Sequence, residues 1–304
     1  MKPYQINIIR DAAIFLEDKD LKMAHNLMNI AHEFRSDGPL IKKKLKKYQQ
    51  QLQEQQILQE QKVLKNLIDN GTIAIIPIGF RCYTKMNIFK SLGLKQASLP
   101  FDAGFFSPYS IVKVLQAKKI ELNYFGKEDS THSVCIKLEN YKDILLGRGI
   151  KFKKSTYEEI NKLTKNKSQK DINSYLDSTF GFYTLDNKNK FVLAHYNWHF
   201  FSDDSKSEGI HDPSINIPKI NTILNNRLER MFELSGKAKH VIFVYLNSQG
   251  YKYMAIDDDI HDLNDLSYLS QTAKDIIGDK CVVTHFSEVN TVSKLLEKIG
   301  LSVS

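Results

Sequence analysis

The run at residues 72–78, TIAIIPI, is β-branched or apolar at almost every position. A strand that is apolar on both faces gives neither face to water, so it belongs in the middle of a sheet covered by helices on both sides. Gly79 follows it, and residues 83–92 then carry a helix-like run. This leaves Cys82 at a strand-to-helix turn. Backbone N–H groups at a helix N-terminus, and the dipole behind them, favour a thiolate over a thiol, and Arg81 beside the sulfur lowers the thiol pKa further. Cys82 is therefore a candidate nucleophile, with Gly79 and Arg81 as candidate ligand-binding neighbours. The plainer alternative is a buried cysteine without chemistry.

The rest of the chain alternates around that strand. A helix is expected at 109–117 and strands at 133–138 and 190–196. Further on the pattern predicts a helix over 218–234 ended by Gly236, a strand at 240–246, a helix over 263–277 ended by Gly278, a strand at 281–285 and a helix over 290–299. Strands separated by single helices imply crossover connections, hence an α/β fold with a mainly parallel sheet flanked by helices. Between residues 120 and 190 Lys, Asn, Ser and Asp dominate and no period holds.

The N-terminal part reads as all-α. Ile6, Ile9, Ala13 and Leu16 recur at helical spacing, Asp18 or Asp20 can cap a second helix, and Ala24, Leu27, Met28, Ala31 and Phe34 form its apolar stripe. Together these predict a helical hairpin whose small Ala24 and Ala31 allow close packing of the tetratricopeptide kind, a TPR-like unit. After Gly38-Pro39, residues 40–68 form a long polar connecting helix with eight Gln in residues 49–61, suited either to a protein partner or to a solvated linker. The turn at Asn70-Gly71 sets the expected boundary: residues 1–70 as hairpin and connecting helix, 71–304 as the α/β domain.

At 304 residues, 42% of them hydrophobic, the chain can bury a sizeable core. No apolar run is long enough to span a membrane, and Arg10 and Asp11 interrupt the N-terminus where a signal peptide would be apolar. Three scattered cysteines, Cys82, Cys135 and Cys281, make neither a disulfide framework nor a C-x-x-C zinc pair. A cytoplasmic, reducing setting is expected. The net charge of +8 suits an acidic partner, yet the excess is not gathered into one motif: residues 137–170, with ten Lys or Arg against four acids, read as a solvated surface of loop and helix, and nucleic acid is not expected. No glycine-rich nucleotide motif occurs, and no cofactor is expected.

A cysteine nucleophile needs a base, usually a histidine held in one tautomer. The segment FVLAHYNWHFF, residues 191–201, holds His195 and His199 four apart, which on a strand puts them on one face. The glutamate of a helical H-E-x-x-H zinc motif is missing, so no metal is expected. Histidines hydrogen-bonded beside aromatics at a strand end are the structural alternative. Arg227 and Arg230, three apart on a helix, share a face that suits an anionic ligand or a surface ion pair.

Gly79, Cys82, the helix after them and Leu99-Pro100-Phe101-Asp102 resemble the "LG-x-x-C … PFDW" signature of a bacterial domain family described as papain-like cysteine peptidases. FVLAHYN resembles that family's strand ending in His-Asp, NNRLERMFEL its Arg-Arg-x-x-Arg-Phe helix, and HVIFVYLN the strand that follows. The resemblance covers roughly residues 72–290. It implies Cys82 as nucleophile, His195 as base and Asp102 as an orienting or structural acid. Tyr196 stands where the family has Asp, which keeps His199 as the other candidate base; Ala103, Asn226 and Tyr245 stand where the family has Trp, Arg and Arg. The implied activity is a cysteine hydrolase of peptidase or amidase type. A papain-like fold would be α+β, whereas the alternation of elements here reads as α/β.

A second class follows from the N-terminal helices, which look like the appendages of bacterial surface-glycan biosynthesis enzymes. That likeness implies a transferase or accessory protein in polysaccharide assembly, with Arg227 and Arg230 on the phosphate of a nucleotide-sugar or acyl carrier. The third is a non-catalytic interaction protein that binds a protein partner through the helical arm. The substrate is thus a peptide, a glycan or a phosphate-bearing molecule.

Overall fold

The computed structural model describes residues 1–80, 83–123, 133–143, 147–155, 162, 165, 182–194, 196, 198, 213–247 and 250–302. The chain packs as two compact units, Met1–Lys65 and Asn66–Ser302.

In the first unit α1 (Pro3–Leu16) and α2 (Leu21–Phe34) pack on each other and are followed by α3 (Pro39–Asp69). Asp20 caps α2, its carboxylate accepting the Met23 N–H at 2.9 Å, one of the donors a helix start leaves without an intrahelical partner. Ile6 and Ala13 of α1, Ala24, Met28 and Ala31 of α2, and Ile41 and Tyr48 of α3 form one core. The three alanines carry no bulk beyond Cβ, so the helix backbones come close. Farther along α3 residues 53–59 are all exposed, as the Gln-rich composition requires.

The second unit is built on β1 (Ile73–Phe80), whose eight residues are all buried. It is central, lying between β7 (His240–Asn247) and β2 (Gly104–Phe105), and the ten-strand order is β10-β7-β1-β2-β6-β5-β3-β4-β8-β9. The remaining strands are β3 (Ser133–Asp143), β4 (Gly147–Ser155), β5 (Phe182–Asp186), β6 (Phe191–Leu193), β8 (Tyr253–Ile256), β9 (Asp259–Asp262) and β10 (Cys281–His285). Five helices accompany them among the described residues: α4 (Tyr83–Leu92), α5 (Pro108–Ala117), α6 (Ile217–Lys237), α7 (Ser267–Ile277) and α8 (Val292–Lys298). Ala74, Ile76 and Ile78 of β1, with Val241, Phe243 and Tyr245 of β7, share a core with Leu224, Leu228 and Met231 of α6.

The fold is mixed α/β, and the expectation of a mainly parallel sheet is corrected. Among the described residues parallel pairing is confined to β1 with β7, β7 with β10, and β4 with β8. The other ladders are antiparallel. The reason is the length of the connections. Parallel neighbours need a crossover of a dozen or more residues, and α7 lies between β7 and β10 in the chain. Only residues 187–190 separate β5 from β6, which forces a hairpin. Asp186 closes it by accepting the N–H groups of Lys188 and Asn189, both at 2.9 Å, and the Asn189 side-chain amide at 2.7 Å. The helix expected over 263–277 begins later, at Ser267, after β9 ends at Asp262, and Gly236 does not end α6, which runs on to Lys237.

In the first unit Glu17 Oε2 accepts from Lys44 Nζ at 2.6 Å and from the hydroxyl of fully buried Tyr48 at 2.8 Å. These bonds, led by Lys44, hold the Glu17 carboxyl below the usual carboxylate range. A carboxyl whose pKa falls on folding contributes stability that is complete above its unfolded value of about 4.3 and is lost as the pH falls through the folded pKa. Denaturation followed by helical circular dichroism should therefore lose stability between pH 5 and 3, and Glu17→Gln should flatten that dependence. Tyr48→Phe should cost about 1–2 kcal/mol at pH 7, as removal of one hydrogen bond to a charged group does.

Candidate functional site

The register of the sheet gathers several chain segments on one edge. β7 runs parallel to β1 and ends level with it, Asn247 beside Phe80. β2 runs the other way, so it enters at the edge where β1 leaves, with Phe105 opposite Phe80. β6 is antiparallel to β2 and therefore runs in the sense of β1, with Val192 opposite Phe105 and Leu193 opposite Gly104. Phe80, Phe105 and Val192 thus form one row, and β1 and β6 leave the same edge about two strand spacings, roughly 10 Å, apart. The carboxyl ends of parallel strands are where open α/β sheets bind ligands.

Gly79 is set into this edge by contact rather than by a turn, because β1 continues through Phe80. Its φ is +136°, and a Cβ there would stand 2.3 Å from the Leu246 carbonyl oxygen, so only glycine lets β1 and β7 approach so closely. Thr84, fully buried in the first turn of α4, places its hydroxyl 3.4 Å from both the Phe80 and the Leu246 carbonyl oxygens. That contact ties the start of α4 to the ends of β1 and β7.

Asp102 lies in the 3-10 turn Pro100–Ala103, immediately before β2. Its Oδ2 accepts the Leu99 N–H at 2.7 Å and lies 3.3 Å from Lys85 Nζ. The Asp102 side chain is only 8% exposed, and its Oδ1 has no hydrogen-bond partner among the described residues. Burial pushes this carboxyl above the usual carboxylate range, outweighing the Leu99 N–H, Lys85 and Arg227, which pull it down. A buried carboxyl poised toward its neutral form can hold or release a proton, the property asked of a general acid or base.

Cations surround the turn. Lys85 Nζ also donates to Ser98 Oγ at 3.2 Å, and Arg230 Nη1 donates to the Ser98 carbonyl oxygen at 2.9 Å. Arg227 donates through Nη2 to the Tyr196 hydroxyl, its guanidinium lying 4.8 Å from that ring's centre. Among the described residues neither arginine has a carboxylate within the 4.0 Å of an ion pair, so the surface-pair alternative finds no partner.

Of the residues singled out in the sequence, the structure places Gly79, Asp102, Arg227 and Arg230 around this edge. Cys82, Arg81, His195 and His199 lie outside the described residues. Lys85, Ser98 and Tyr196 were missed. Lys85 reads as one more lysine on a helix, and nothing in its spacing points to a carboxyl seventeen positions on. Among the described residues no group of three or more His, Cys, Asp or Glu is arranged to hold a metal, and no helix is long and apolar enough to cross a membrane. Comparison of the chain with protein-family models, with curated proteins and with solved structures found no match.

Two outcomes check this arrangement. Gly79→Ala should destabilise the protein by about 2–4 kcal/mol, through strain and displaced backbone. Gly71→Ala, at φ +72° with nothing within 4 Å of the added Cβ, should cost only about 1 kcal/mol. For Asp102, a folded pKa raised above the unfolded value of about 3.9 gives a contribution that is complete below that value and is lost as the pH rises through the folded pKa. Denaturation midpoints of the wild type and Asp102→Asn should therefore diverge in favour of the variant from pH 3.5 to 8; a constant difference would mark an ordinary carboxylate.

Proposed function

We propose that the chain is a cysteine hydrolase of peptidase or amidase type, related to the papain-like family it resembles, with Cys82 as nucleophile and His195 as base. What supports the reading is the common edge: β1 ends two residues before Cys82, β6 ends two residues before His195, and Asp102 sits in the turn that leads into β2 there. In the reaction the Cys82 thiolate attacks the substrate carbonyl carbon and the bond to the leaving amine breaks. The imidazolium gives its proton to that amine, and water, activated by the same imidazole, hydrolyses the thioester to release a carboxylic acid and regenerate the thiol. Asp102 orients this machinery or supplies a proton from its buried carboxyl. The setting is cytoplasmic, where thiols stay reduced, and the TPR-like N-terminal helices bind a protein partner.

A transferase or accessory role in surface-polysaccharide assembly is the second reading. Among the described residues Arg227 and Arg230 have no carboxylate ion-pair partner, which favours it, since a phosphate-bearing ligand would fill that need.

Alkylation separates the readings. Cys281 is fully buried and its thiol is pushed up to about 12 by burial, so it serves as an unreactive internal reference. Iodoacetamide at pH 6.5 should label Cys82 well before Cys281 and Cys135. In His195→Ala the labelling midpoint should move up toward the free-thiol value of about 8.5. A shift in His199→Ala instead would transfer the base to His199, and no shift in either variant would remove the hydrolase reading.

A further inference from the structure

We propose that Arg227, Arg230 and Lys85, ranged along residues 98–102, form a subsite for an oxyanion, the carboxylate or phosphate group of a substrate or ligand. The subsite does not need Cys82 to be a nucleophile. Three cations from two helices converge on one short segment that carries a single carboxyl. Lys85 holds both the Ser98 hydroxyl and Asp102, and Arg230 holds the Ser98 carbonyl. Arg227 lies close enough for its charge to act on Asp102. A guanidinium has five N–H donors in a planar fork that matches a carboxylate or phosphate. Among the described residues Arg227 and Arg230 each give one hydrogen bond, to a hydroxyl and to a carbonyl, neither of which carries charge.

The second, independent observation is Asp102 Oδ1, buried and without a described partner in a side chain 8% exposed. With Oδ2 engaged by the Leu99 N–H and Lys85, a neutral Asp102 carries its proton on Oδ1 and can donate it to a bound anion. Stacking on Tyr196 holds the Arg227 fork in place, which lowers the entropy lost when an anion docks.

The experiment uses the full chain at pH 6, with inorganic phosphate as one probe and N-acetylglycine, a carboxylate, as the other. Sodium chloride at matched ionic strength is the reference, and the readout is melting temperature against probe concentration. At least one probe should give a saturable rise beyond chloride, and which one does so identifies the source of the oxyanion. Arg230→Gln, at an exposed position, should keep the probe-free melting temperature while weakening apparent affinity about tenfold, as loss of one charge-assisted contact does. Arg227→Gln should act in the same direction, and if it unfolds, Arg230→Gln decides alone. Two results would overturn the proposal: no rise beyond chloride with either probe, or an undiminished rise in Arg230→Gln.

Discussion

β1 has no face to give to water. Its eight residues are buried between β7 and β2, so helices must cover the sheet on both sides there, and α6 supplies one covering layer through Leu224, Leu228 and Met231. Close packing of β1 against β7 depends in turn on the missing side chain at Gly79, where a Cβ would meet the Leu246 carbonyl. Everything gathered at that edge inherits its position from this contact: the start of α4 through Thr84, the entry of β2 and the turn carrying Asp102. A chemical group placed there is held by the core itself, which is how a site keeps its geometry without support from loops.

The electrostatics of the edge come from an unequal contest. Asp102 has a backbone donor and nearby cations, each of which favours the carboxylate, and yet burial prevails. Where desolvation outweighs two neighbouring positive charges, the acid takes up protons more readily than its surroundings suggest. Its behaviour then depends on whatever enters and changes the local dielectric. Drying the edge further would favour the neutral acid; an incoming anion would do so again by opposing the cations.

The central strand was legible because eight consecutive buried positions leave a signature that no surface element can carry. The helices around it were legible where a clear period held, as at 218–234, although Gly236 lies inside α6 and only Gly278 caps the end of its helix, α7. The antiparallel half was not: residues 120–190 have no period, and hairpin pairing depends on connection length and turn chemistry such as the Asp186 closure rather than on composition. At the site, Asp102, Arg227 and Arg230 stood out through residue type and local spacing. Lys85 and Ser98 did not, because their part comes from contacts between segments far apart in the chain. Tyr196 read only as a substitution of an expected acid, and the structure gives it a different place, against the Arg227 guanidinium.

The ten-strand sheet is open, so its terminal strand β9 could in principle recruit a strand from another molecule. β9 is only four residues long, begins at Asp259 and ends at Asp262, and Asp259 is already paired with Lys190 at 3.1 Å. An incoming strand would find a short ladder with an acid at each end, and two such edges brought together would oppose four carboxylates. The brevity and charge of β9 thus act as a guard against sheet-to-sheet growth, letting a large mixed sheet end in water without seeding aggregates.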